Sequence, residues 1–236
     1  MPNIDPAAKD WQLEWSGRIG QAIQDRRKEL GLTAQELAKL TERLGYPISR
    51  VAISKIESNS RAGKMDIAEV ATLAYVLCIP PVMLLYPGLP HLSYRYLPRA
   101  RHYAIDALLW FTGENLGLAE FGSFTGTVPT TSWEEIKSAA QPLTLSRGFQ
   151  RAETARRIAV TEAKAAQVRA DDPDTEPHDR ESALREFEFQ SRYAAQQLEL
   201  RDGIIDIMIS AGLPVAKSYR AARNAHINDI DDDGDA

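Results

Sequence analysis

Between residues 31 and 88 the chain stops and restarts a helix four times, and this punctuation constrains the fold more than any other feature. Gly31 sits where a helix ends, and Thr33-Ala34-Gln35-Glu36 is a capping box in which hydroxyl and carboxylate satisfy backbone donors reciprocally. Gly45-Tyr46-Pro47 breaks the next helix and Ser49 opens another. After Asn59 a loop rich in Ser, Arg, Gly and Lys leads to Asp66 and Glu69, a further cap. Pro80-Pro81 ends that helix, and a short one reaches Leu84-Leu85 before Pro87-Gly88. With a first helix over Ser16 to Leu30, residues 16–88 read as five short helices. Their expected inward residues are Ile19, Ile23 and Leu30, then Leu37, Ala38 and Leu44, then Ile53 and Ile56, then Ile67, Val70, Ala71, Ala74 and Leu77.

The third of these helices has an outer face unlike a plain solvated one. Arg50, Val51, Ser54 and Lys55 fall on one side, with Ile53 and Ile56 on the other. The 236-residue chain has a net charge of −5, but residues 16–64 hold ten Lys or Arg against five Asp or Glu, and the last eleven residues are acidic. Arg and Lys can donate to guanine acceptors, Ser can donate or accept, and Val51 can touch a thymine methyl. A short helix presenting those groups after a turn fits the geometry of readout in the major groove of double-stranded DNA.

Other chemistries find little support. His91, His102, His178 and His226 are scattered without partners at ligand spacing, so no metal or cofactor is expected. Arg61-Ala62-Gly63-Lys64 lacks the first glycine and the hydroxyl of a phosphate-binding loop, so no enzyme is expected either. The single cysteine, Cys78, lies in the apolar run Val76 to Ile79 and reads as a packed thiol in a reducing compartment. With no membrane-spanning apolar stretch and no signal peptide, a cytoplasmic protein is expected.

Beyond residue 88 the pattern loosens. Arg101 to Glu114 reads as a helix, Gly117 to Val128 as a short strand or hairpin, and Ser132-Trp133-Glu134-Glu135 as a capping box. Trp110, Phe111, Phe121 and Phe124 read as core. Ser146–Arg169 and His178–Ser210 then read as two long helices forming a hairpin around an acidic, proline-containing linker. In the second, positions 184, 187, 191, 194, 198, 201, 205 and 208 follow three-four spacing, an imperfect coiled-coil seam that predicts a homodimer. Phe149, Ala152, Ala159, Ala163 and Ala166 give the first helix its own stripe, through which the two could instead satisfy each other. The fold class is therefore mainly α. It divides into an N-terminal arm (1–15), a five-helix DNA-binding domain (16–88), a mixed middle segment (89–143), long C-terminal helices (144–225) and an acidic tail (226–236).

Arg27-x-x-x-Gly31-Leu32-Thr33, Glu36-Leu37-Ala38 and Ser49-x-x-x-Ile53-Ser54-x-Ile56-Glu57 together resemble the helix-turn-helix domain of the Xre/Cro family, the group of the lambda repressor. The lengthened turn and Pro80 to Pro87 are similar to regulators of actinobacterial and prophage type. The resemblance implies base contacts by Ser49, Arg50, Val51, Ser54 and Lys55. It implies phosphate contacts by Thr33, Gln35, Ser58, Asn59, Arg61 and Lys64, and a buried pair between Arg27 and Glu57. Ala34 stands where the family often has Gln, Asn59 where Gly is common, and the connection Lys39 to Ile48 is longer than in phage repressors. The expected function is a sequence-specific transcription regulator, a repressor occluding a promoter. The alternative is an interaction protein, such as an antitoxin or phage adaptor, with an autoregulatory DNA-binding domain.

Overall fold

A computed structural model describes residues 5–98, 100–115, 133–219 and 221. The chain divides into two compact units, residues 1–128 and 129–236.

The first unit opens with α1 (Pro6–Glu29), α2 (Ala34–Arg43), α3 (Arg50–Glu57), α4 (Ile67–Val76) and α5 (Pro81–Leu85). Helix α1 begins ten residues before Ser16, so most of the expected arm is helix. The Asp5 carboxylate accepts from the Ala7 N–H and Pro6 occupies the first turn, where its missing N–H costs nothing. One apolar core joins the five helices: Ile19 and Ile23, Leu37, Ile48, Ile53 and Ile56, Leu73, Ala74 and Leu77, and Leu84 are all buried. Four expected inward residues turn outward, among them Leu30 at the end of α1, which is 39% exposed. Ile67 is 84% exposed, Leu44 is 45% exposed and Ala71 is exposed; Leu73 and Thr41 fill the inward positions instead. Cys78 is likewise exposed, because α4 ends on it in a left-handed conformation (φ 51) that sends the side chain outward.

A two-stranded antiparallel hairpin, β1 (Ser93–Leu97) and β2 (Ala100–Tyr103), follows, then α6 (Ala104–Phe111). No strand was expected over these residues, and β2 occupies the start of the segment read as helix 101–114. Gly117 to Val128, with Phe121 and Phe124, and Ser132 lie outside the described residues. Tyr96 packs edge-on to Trp110, centroids 5.5 Å apart, and Tyr86 edge-on to Phe111 at 5.7 Å. Burial pushes the Tyr86 phenol up to about 12. The hairpin is tied to α1 by polar contacts: Arg95 Nε donates to Glu14 at 2.6 Å and Trp11 Nε1 to the Arg95 carbonyl at 3.2 Å. The Arg18 guanidinium lies 4.2 Å over the Tyr94 ring, a cation–π contact.

The second unit is a pair of antiparallel helices, α7 (Trp133–Asp171) and α8 (Pro177–Ser210). Helix α7 starts 13 residues before Ser146 and carries Pro142 within it. The seam on α8 faces α7 of the same chain: Ala194, Arg201 and Ile205 are buried against a stripe of Ala152, Ala159, Ala163 and Ala166, whose small side chains let the axes approach. Leu184 escapes, at 48% exposure. Arg201, the charged member of the seam, is matched by acids. Its Nε and Nη2 donate to Asp202 at 2.9 and 2.6 Å, and its Nη1 to Glu153 at 3.3 Å.

The Glu153 carboxyl is held below the usual carboxylate range, chiefly by hydrogen bonds from Arg156, with burial opposing and Arg201 assisting. A depressed native value means that stability is present above the unfolded value of about 4.3 and is lost as pH falls through the native one. Acid titration of the melting temperature should therefore show a decline that begins near the ordinary glutamate range. Glu153→Gln should lower stability at neutral pH, where it strands Arg201, and flatten the acid decline.

Candidate nucleic-acid interface

The outer face is created by how α3 is held. Ser49 caps the helix, its hydroxyl accepting from the Ala52 N–H at 3.1 Å. Ile53 and Ile56 are buried beneath it, which leaves Arg50, Val51, Ser54 and Lys55 exposed on the opposite side. Eight residues at 1.5 Å rise make a helix about 12 Å long, comparable with the width of the major groove.

Two contacts with α1 fix its far end. The Arg27 guanidinium grips Glu57 in a bidentate pair, Nε to Oε1 at 2.7 Å and Nη2 to Oε2 at 2.8 Å, and its Nη1 donates to the Leu32 carbonyl at 2.7 Å. The side chains are 12% and 6% exposed, and the hydrogen bonds to Glu57 raise the arginine further above its ordinary range. One arginine thus joins α1, the turn before α2 and α3. Gly20 gives the second contact: a Cβ there would stand 2.2 Å from the Ile56 carbonyl oxygen, so the helices cross at a distance only glycine allows. Gly20 was not singled out in the sequence, where its only signal is a glycine inside a helix that does not need one.

The lengthened connection between α2 and α3 is held from within. Helix α2 continues to Arg43, so only residues 44–49 form the turn. Thr41, fully buried, accepts from the Ile48 N–H at 2.9 Å and donates to the Ala38 carbonyl at 2.8 Å. A hydroxyl on the inner face of α2 thereby replaces the missing backbone partner of the longer loop.

The residues named for phosphate contact fall into two groups. Gln35, Ser58 and Lys64 are exposed, as is Thr33, whose hydroxyl serves the capping box with Glu36. Asn59 and Arg61 are engaged internally. Asn59 (φ 52) accepts from Ser16 Oγ at 2.7 Å and donates to the Leu13 carbonyl at 2.9 Å, latching the end of α3 to α1. Arg61 pairs with Glu69 at 2.6 Å, which reduces its charge towards a phosphate. Gln12 Nε2 donates to the Gly63 carbonyl at 3.2 Å, and Lys9 Nζ bonds the Ala62 carbonyl, so the opening turns of α1 also brace the loop after α3. Among the described residues Arg61 forms an ion pair while none is found for Arg50, Lys55 or Lys64, and no group of His, Cys, Asp or Glu could hold a metal ion.

Removing one member of the buried pair leaves the other charge uncompensated, so Glu57→Gln should cost about 3–5 kcal/mol in denaturant unfolding. Gly20→Ala should cost about 1–3 kcal/mol by overpacking. An unchanged unfolding midpoint in either variant would contradict the geometry described.

The helix-turn-helix family model matches residues 23–70, the stretch from the last third of α1 to the first turn of α4. No curated protein and no solved structure matches the chain significantly. Among the described residues no helix is long and apolar enough to cross a membrane. Residues 23–70 are therefore similar to the helix-turn-helix domain of Xre-type regulators, a DNA-binding domain of transcription regulators.

Proposed function

We propose that the protein is a sequence-specific repressor that reads the major groove of double-stranded DNA with α3 and blocks transcription by occupying a promoter, as in regulators of phage or prophage immunity. The observation that carries this reading is the exposed face of Arg50, Val51, Ser54 and Lys55 on a helix whose other side is locked to α1 through Arg27, Glu57 and Gly20. Base edges demand donors, acceptors and an apolar contact at fixed positions, and that face offers all three on a rigid support. Phosphate contacts are assigned to Thr33, Gln35, Ser58 and Lys64, with Arg61 sharing its charge with Glu69 and Asn59, whose N–H and side chain are bonded within the chain, positioning the loop beside them. The protein works inside the cell, without catalysis or a cofactor, as a homodimer joined through its C-terminal helices, so that two copies of α3 meet two half-sites about one helical turn of DNA apart.

Base readers and phosphate contacts differ in what their loss does. Arg50→Ala should cost about 1–3 kcal/mol on the preferred site and relax preference at one base pair. Lys64→Ala should weaken all sequences alike and reduce the slope of log K against log salt by about one. Titrations of matched and mismatched duplexes over a salt series separate the two, and an unchanged site preference across Arg50 variants would refute the assignment.

A further inference from the structure

The α8 seam with a coiled-coil pattern is covered by α7, yet α8 carries a second apolar stripe. Phe189 (61% exposed), Tyr193 (39%), Leu200 (53%) and Ile207 (46%) recur at spacings of four, seven and seven, which puts them on one face, with Gln196 between Tyr193 and Leu200. Gly203 lies on the same face. It is an interior helix residue whose added Cβ would meet nothing within 4 Å, so packing within the chain does not account for its glycine. Glycine on a helix face lets another backbone come close.

The edge of this stripe away from α7 identifies the occupant. Arg185, Arg192, Glu199 and Asp206 follow one another every seven residues, all exposed: two cations, then two anions. Such a row is complementary to itself when reversed. A two-fold axis crossing α8 between residues 195 and 196 sets Arg192 against Glu199 of the second copy and Arg185 against Asp206 of the second copy, each twice. The same operation brings Phe189 to within two residues, about 3 Å along the axis, of Leu200 of the second copy, and Tyr193 equally near Gln196 of the second copy. A parallel pairing would instead lay the charged row beside Ala183, Gln190, Gln197 and Ile204 of the second copy, which carry no counter-charge and lie on the side turned to α7. Arg185 also reaches Glu181 one turn away at 2.9 Å, an exposed pair that leaves its guanidinium at the surface.

We infer that two copies of this chain associate through antiparallel α8 helices, using the stripe of Phe189, Tyr193, Leu200 and Ile207 rather than the seam filled by α7. The inference rests on the dimeric reading above and adds the face, the direction and the charge register. An isologous contact of this kind closes on itself and yields a dimer, not a chain of subunits.

Sedimentation equilibrium of the full chain and its variants tests the interface. Wild type should be a dimer at micromolar concentration. Leu200→Glu, at a half-exposed position, should raise the dissociation constant by about thirtyfold or more while leaving the helical circular dichroism unchanged. Arg192→Glu should weaken the dimer by about tenfold by opposing like charges, and the exchange of Arg192→Glu with Glu199→Arg should restore it. Recovery in the double variant excludes simple misfolding of the single one. A wild-type dimer that none of these variants weakens would overturn the assigned face while leaving dimerisation intact. A monomer throughout would overturn the dimeric reading and this inference together.

Discussion

The bidentate pair between Arg27 and Glu57 is the interaction on which the rest of the DNA-reading unit depends. A helix of about two turns buries too little surface to orient itself, and α3 places only Ile53 and Ile56 fully in the core, with Ala52 half-buried against it. Two charge-assisted hydrogen bonds in a planar fork fix the rotation of α3 about its axis, and rotation decides which side chains face outward. Gly20 fixes its distance from α1 and the Asn59 latch fixes its end. Lysine at position 27 could not reproduce this, because a single ammonium defines a point rather than a plane. The exposed face proposed to read bases is therefore a consequence of contacts on the opposite side of the helix.

Much of this was legible in the sequence because it is encoded locally. Thr33 with Glu36 and Asp66 with Glu69 both form the capping boxes their spacing predicts. Ile19, Ile23, Leu37, Ile53 and Ile56 are buried where helical periodicity places them. What escaped depends on partners distant in the chain. Thr41 is polar and reads as surface, yet the turn it supports makes it a core residue. Leu44 reads as core, but α2 has ended by that point and the residue projects outward. The ties of Asn59 to α1 and of Arg61 to Glu69 are likewise absent from the local pattern. The hairpin over Ser93–Tyr103 was hidden because two short strands give a weak periodic signal and Arg101 to Tyr103 continue plausibly into the helix that follows.

In the second unit a helix can hold two apolar stripes, and a single heptad pattern does not say which neighbour each one meets. The α8 seam containing Ala194, Arg201 and Ile205 is matched by the alanine stripe of α7, with Glu153 and Asp202 balancing the arginine. Small side chains and a compensated charge make that seam an intrachain one. The more aromatic stripe, bordered by charges that complement themselves on reversal, is suited to a symmetric partner. The proposed division of labour follows: the first unit holds α3 rigidly, and the second offers the stripe through which a two-fold partner is proposed to bind.

The most direct measurement of the central claim is selection of bound sequences from a pool of random duplex DNA by the full chain at about 0.15 M salt, where screening removes most non-specific attraction. The account predicts enrichment of a short motif, present as two inverted copies centred about one helical turn apart. Recovery of a pool with no enriched motif, on protein that binds duplex only at low salt, would contradict it.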